Sequence, residues 1–168
     1  MVTVSETAPI ACDNRRIACI LFNIATILDL AQDNIYRVRA YRRAARRILA
    51  LQEDAAAIVA RGEELPLPGV GKRIGKKLAE LIANGRLAFY EDLLEDQPAH
   101  IRALMAVDGI GPKTAQRLYA GLGVRSATDL IAAAEQRQVQ MLFGFGEVRE
   151  ANLARAARAA VGRLADVA

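Results

Sequence analysis

Lysine is scarce in this chain, and it is not scattered. The 168 residues contain four lysines, Lys72, Lys76, Lys77 and Lys113, and the remaining basic residues are arginines apart from one histidine. Each lysine lies within nine residues of the first glycine of a Gly-apolar-Gly triplet, Gly69-Val70-Gly71 or Gly109-Ile110-Gly111. An ammonium group beside the start of a helix is suited to holding an anion, because the free N–H groups of the first turn and the helix dipole both favour negative charge there. Lys72, Arg73 and Lys76 supply the first triplet, and Lys113 with the Thr114 hydroxyl supplies the second. A phosphate gripped this way is gripped by its oxygens, which carry no base information.

A third triplet, Gly144-Phe145-Gly146, completes a repeat. All three read Gly, apolar, Gly, six residues, Leu, ending at Leu78, Leu118 and Leu153. Glycine opens backbone angles closed to other residues and lets a turn approach another surface, while the middle apolar residue pins the turn to a core. One Gly-x-Gly would serve any tight helix–helix turn. Three in matched register, with the lysines confined to two of them, indicate repeated helix-hairpin-helix units. Glu147 and Val148 follow the third triplet and would repel or ignore a phosphate, so that hairpin is expected to be structural. Three mere packing turns would leave the lysine clustering unexplained.

Upstream, six arginines fall between residues 37 and 47 with no acid among them. On a helix, Arg39, Arg42, Arg43, Arg46 and Arg47 share an arc of about 140°, with Tyr41, Ala44, Ala45 and Ile48 opposite. A solvated face normally mixes signs. This one does not, so a phosphate-facing surface that includes Arg37 is favoured.

The elements that must carry these groups are helices. Sustained alternation of β-branched and aromatic residues is absent, and Ala, Leu, Arg and Glu recur at helical spacing. Helices are predicted over about residues 10–31, 35–51, 53–61, 72–84, 87–96, 98–106, 112–121, 127–137 and 147–161. Asn84-Gly85 suits a helix end, and Pro98 and Pro112 suit first-turn positions. The expected division is 1–97, with the arginine helix and first hairpin, and 98–168, with the other two hairpins. The apolar fraction is 53%, enough for a packed core, and the net charge is +4. The single histidine, His100, excludes a histidine-clustered metal site. Cys12 and Cys19, on one helix, would lie roughly 10 Å apart, beyond disulfide reach. A reduced, cytoplasmic protein is expected, with no membrane contact, because the apolar run Ile17–Leu28 is interrupted by Asn23 and falls short of the about 20 residues a bilayer needs.

The segments NIYRVRAYRRAARRI (34–48), LPGVGKRIGKK (67–77), VDGIGPKTA (107–115) and FGFGE (143–147) resemble, in order and spacing, the amino-terminal half of family X DNA polymerases. The similarity is closest to the bacterial and archaeal branch, with DNA polymerase β more distant, and runs from about residue 14 to 161. It implies an all-α fold of tandem helix-hairpin-helix units. The first unit would resemble a lyase domain that grips the 5′-phosphate side of a gap, and the second would hold the adjoining strand. The implied function is sequence-independent binding of gapped, nicked or abasic DNA in repair, through Arg37, Arg39, Arg42, Arg43, Arg46 and the two lysine-bearing hairpins. The family's polymerase motifs, a Gly-Ser and an Asp-x-Asp, are absent here, so no polymerase activity is expected of this chain. It opens with Met1 and reads equally as a stand-alone protein or as a piece of a longer one.

The same resemblance places Lys77 where the family's lyase lysine attacks an abasic sugar to form a Schiff base, with Tyr41 matching a supporting tyrosine. Such a lysine must be deprotonated, and Arg73 and Lys76 beside it favour the neutral amine. Leu65 and Phe89 stand where DNA polymerase β has lysines, so two basic positions of its 5′-phosphate pocket are not reproduced. The resemblance further implies a monovalent cation, K+ or Na+, on the backbone carbonyls of Leu65, Leu67 and Val70 and of Met105, Val107 and Ile110; no other cofactor is expected. A third reading is a non-enzymatic protein-interaction scaffold, with the arginine face meeting an acidic partner. Cys12 and Cys19 are expected to be core or half-buried, His100 to be a surface residue, and Phe143 and Phe145 to be core plugs.

Overall fold

The structure, a computed structural model, describes residues 13–165. Among these residues there are only helices: α1 (Asn14–Leu30), α2 (Ile35–Leu49), α3 (Ala55–Ala60), α4 (Lys72–Asn84), α5 (Ala88–Glu95), α6 (Ala99–Met105), α7 (Pro112–Leu122), α8 (Ala127–Glu135) and α9 (Glu147–Ala165), with a short 3-10 turn at Val139–Met141. The fold is all-α, as the residue pattern indicates. The chain divides into two compact units that part between Leu93 and Leu94.

In the first unit α1 and α2 pack along their length, joined by residues 31–34. Asp13 caps α1 by accepting the Arg16 N–H at 2.7 Å, and Asn34 caps α2 by accepting the Tyr36 N–H at 2.9 Å. That cap places the start of α1 at Asn14; the expected helix residues 10–12 lie outside the described residues. Asn14 also ties the start of α1 to the approach to α3, donating to the Glu53 carbonyl at 2.9 Å and accepting from the Ala55 N–H at 2.8 Å. Ile17, Leu21 and Ile24 of α1 meet Val38 and Ile48 of α2 and Leu78 and Leu81 of α4, all fully buried. α4 buries Ile74, Leu78 and Leu81 on one stripe, which leaves Lys72, Arg73 and Lys76 exposed and Lys77 half-buried at its margin. Gly85 ends α4 in the left-handed conformation with φ +66.

The second unit has its own core of Leu104, Val107, Leu118, Leu130, Val139, Phe145 and Ala157. Pro112 opens α7 at its first turn, and Ser126 caps α8 by accepting the Asp129 N–H at 3.1 Å. Three placements differ from expectation. Cys19 is exposed, because its register on α1 falls outside the stripe of Ile17, Leu21 and Ile24; Cys12 lies outside the described residues. His100 is half-buried, its ring 4.0 Å from that of Tyr119. Phe145 is a core plug at 3% exposure, but Phe143 is 94% exposed.

Candidate nucleic-acid interface

The three glycine triplets form the same turn. Val70 N–H donates to Leu67 O at 3.1 Å, Ile110 N–H to Val107 O at 3.1 Å and Phe145 N–H to Leu142 O at 2.9 Å. The third residue of each turn is glycine with positive φ, +78 at Gly69, +84 at Gly109 and +74 at Gly144. This is a turn with a left-handed third position, which glycine fills at no steric cost. The second glycine of the first two triplets, Gly71 and Gly111, is the N-cap of the following helix and offers no side-chain cap. The first-turn N–H groups of α4 and α7 therefore face outward beside the exposed cations Lys72, Arg73 and Lys113.

Around the first hairpin the arginines of α2 sort into two sets. Arg39, Arg43, Arg46 and Arg47, with Ala50, line a groove of about 610 Å³, and no described acid pairs with these four. The Arg43 side chain passes beside Gly69: a Cβ there would lie 3.6 Å from its Nη1. Arg42 is half-buried and pairs with Asp29 at 2.8 Å, while Arg37 pairs with Asp33 at 2.9 Å. Such partly exposed pairs are worth about 0–1 kcal/mol, so a phosphate could compete for either arginine. Arg47, on the same helical arc as Arg39, Arg43 and Arg46, lines the groove with them.

A second cleft of about 890 Å³ lies between α2 and the hairpin-one helix, lined by Arg37, Tyr41, Lys72, Arg73, Lys76, Lys77 and others. Three of its lining residues, Arg37, Tyr41 and Lys77, meet around the ring of Phe89. The Lys77 Nζ sits 4.1 Å from the centre of the Phe89 ring, Arg37 lies 5.3 Å from the same ring, and Tyr41 stacks on Phe89 at 6.2 Å with 12° between planes. Lys77 and Tyr41 are thus brought together through Phe89. Burial pushes the Tyr41 phenol above its usual range, opposed by the Arg37 guanidinium.

The second hairpin presents Lys113 exposed, but the Thr114 hydroxyl already accepts from Arg149 Nη2 at 3.1 Å. At the apex of this turn Asp108 pairs with Arg163 of α9 at 3.4 Å. Neither contact is visible locally, since the partners are 35 and 55 residues away. The carbonyls implied as cation ligands take part in the turns: Leu65 O accepts from Leu67 N–H at 2.8 Å, and Leu67 O and Val107 O close the turns described above. Each of these oxygens keeps a second lone pair, so the turns are compatible with a carbonyl-bound cation.

The third hairpin is cationic as well as acidic. Arg117 of α7 and Arg149 of α9 stand over Phe145 at 4.8 and 4.3 Å. Of the two acids in the first turn of α9, Glu150 is buried and accepts the Gln140 N–H at 2.9 Å. No described helix is long and apolar enough to cross a membrane.

Comparison with known proteins agrees with this geometry. Residues 12–87 match the helix-hairpin-helix domain family, and residues 101–159 match the SAM-like helix-hairpin-helix tandem family. A DNA polymerase/3'-5' exonuclease PolX from Bacillus subtilis (strain 168) is 34% identical over 137 residues, which is 82% of this chain and 24% of that protein. The chain thus spans about a quarter of the length of the curated relative it matches.

Proposed function

We propose that this chain, which belongs with the helix-hairpin-helix segments of family X DNA polymerases, binds DNA through its phosphates, without reading sequence, at gapped, nicked or abasic sites in repair. One observation carries the reading: the two uncapped helices that follow turns of like geometry, α4 and α7, hold all four lysines of the chain. Backbone N–H groups and ammonium groups at such turns suit phosphate oxygens. The groove of Arg39, Arg43, Arg46 and Arg47 extends the cationic surface from the first hairpin along α2. A K+ or Na+ on the hairpin carbonyls would add positive charge where the phosphate sits. No polymerase chemistry is assigned to these residues, which lack Gly-Ser and Asp-x-Asp.

Fluorescence anisotropy against a gapped duplex with a 5′-phosphate, beside the intact duplex, tests the proposal. Tighter binding to the gap that weakens steeply with salt supports it, with a slope of about −0.9 per phosphate contact on logarithmic axes. Failure to bind either duplex at low salt overturns it and leaves the protein-interaction scaffold.

A second reading, abasic-site lyase activity through Lys77, is favoured by the position of this half-buried residue in a cleft beside Tyr41. The amine would add to the sugar aldehyde carbon and water would leave, giving a Schiff base. Borohydride trapping on an incised abasic site reads this out. The reading expects an adduct with the chain and with Lys76→Ala and none with Lys77→Ala; an undiminished Lys77→Ala adduct removes Lys77 from the role.

A further inference from the structure

The three hairpins share one turn, so the residue at its second position can be compared directly. It is Pro68 in the first, Asp108 in the second and Phe143 in the third. Phe143 is 94% exposed. With Met141 at 81% and Val148 at 76%, it makes the three most exposed large apolar side chains among the described residues, all on this one hairpin.

The exposure is built in. On either side of Phe143 the chain is anchored: Phe145 is in the core, and Leu142 packs so closely on Gly121 that a Cβ there would fall 2.5 Å from Leu142 Cδ2. Arg117 donates to the Phe143 carbonyl, and Arg149 Nη1 donates to the Gly144 carbonyl at 3.3 Å. The backbone is thus tied at both residues while the ring between them stands in water. Leaving a phenylalanine side chain exposed forgoes the favourable transfer that burial would give.

Two guanidinium groups hold the turn that carries the ring: both stand over the neighbouring Phe145, and they donate to the carbonyls of Phe143 and Gly144. Arg117 and Arg149 are exposed, no described acid pairs with either, and each guanidinium has five donors, more than the contacts above use. Through its bond to Thr114, Arg149 joins this hairpin to the second one beside Lys113. The one exposed acid of the turn is Glu147. An exposed aromatic ring on a turn whose backbone is held by guanidinium groups suits a partner with a flat apolar face and neighbouring negative charge, which is a nucleobase and its phosphates. Within an intact duplex each base face is covered by its neighbour. At a nick or gap the terminal pair offers one open face.

We propose that Phe143 is the residue that selects interrupted DNA: its ring stacks on the base pair bordering a nick or gap, while Arg117, Arg149 and Lys113 hold the adjoining phosphates. The proposal rests on the DNA-binding reading above and names the feature of DNA that one surface recognises. The third hairpin is then not only a structural repeat.

The test uses the full chain, with 2-aminopurine placed at the gap margin and anisotropy followed on gapped and intact duplexes. The expected result is that Phe143→Ala weakens gap binding by roughly 5- to 100-fold, that it leaves intact-duplex affinity within about twofold, and that it abolishes the 2-aminopurine signal, while Phe143→Trp retains both gap preference and signal. Far-UV circular dichroism of Phe143→Ala should match the parent, since the ring is outside the core. An unchanged ratio of gap to intact affinity in Phe143→Ala overturns this inference and leaves the DNA-binding reading standing. Equal loss on both duplexes also overturns it, because Phe143 would then add affinity without selecting a gap. If the unaltered chain binds neither duplex, both readings fall.

Discussion

Lys77 owes its position to one stripe of α4. Ile74, Leu78 and Leu81 face the core, and Lys77, between them in register, reaches water only along its margin. That much follows from periodicity. Its neighbour does not: the ring under the amine belongs to Phe89, on the helix after the Gly85 turn, and the sequence marks Phe89 only as a position without a lysine. Burial of Tyr41 beside it, and of Tyr90, whose hydroxyl accepts from Asn23 Nδ2 at 3.0 Å, carries a testable consequence. Both phenols are raised above the ordinary 10.0, chiefly by burial. A raised phenol favours the protonated form in the fold, so its share of stability is intact below about pH 10 and is lost as pH rises above that value. Thermal melts from neutral to strongly alkaline pH should therefore hold level and then fall. Tyr41→Phe and Tyr90→Phe together should flatten the alkaline fall, and Tyr90→Phe should cost about 1 kcal/mol at neutral pH for the lost hydrogen bond. An alkaline fall unchanged in the double variant would assign it to other groups.

A hairpin is specified mostly by itself, which is why the triplets were legible. Glycine at the left-handed position, an apolar plug after it and a leucine on the next helix are local requirements, and Leu78, Leu118 and Leu153 are all buried as the repeat demands. What surrounds a hairpin is not local. The charge on the third turn comes from Arg117 on α7 as much as from its own helix, so its residues alone, Glu147 and Val148, gave too acidic a picture. Phe143 departs from expectation for a related reason: two phenylalanines flank one glycine, and only the turn register decides which is inside. The register makes two expectations quantitative. Gly109→Ala would force a side chain into φ +84 and should cost about 1–2 kcal/mol in urea denaturation. Leu118→Ala, at a fully buried position, should cost about 2–5 kcal/mol. If the second hairpin holds a phosphate as proposed, the glycine variant should also weaken DNA binding more than its stability loss explains. Binding unchanged after Gly109→Ala would mean that the second hairpin does not touch DNA.

Across the whole molecule a net charge of +4 is too small to draw DNA by its overall field, so placement has to do the work. Fourteen of the 23 lysines and arginines lie within residues 1–93 and nine within 94–168. Each unit has a separate buried cluster, the first around α1, α2 and α4 and the second around α6 to α9. A unit with its own core can fold alone, so residues 94–168 expressed by themselves should be helical and melt cooperatively. If both units grip phosphates, a duplex reaching both is held by two linked contacts, and linkage multiplies affinity through effective concentration. Residues 94–168 alone should then bind more weakly than the full chain and with a shallower dependence on salt, since fewer counterions are released. Lys113→Ala in the full chain should reduce that slope by about one phosphate. A second unit that folds but binds with the full chain's slope would place all the phosphate contacts there and reduce the arginine groove of α2 to a solvated face. A second unit that folds and does not bind would place them all on the first. Only an intermediate slope fits two hairpins on two units working on one backbone.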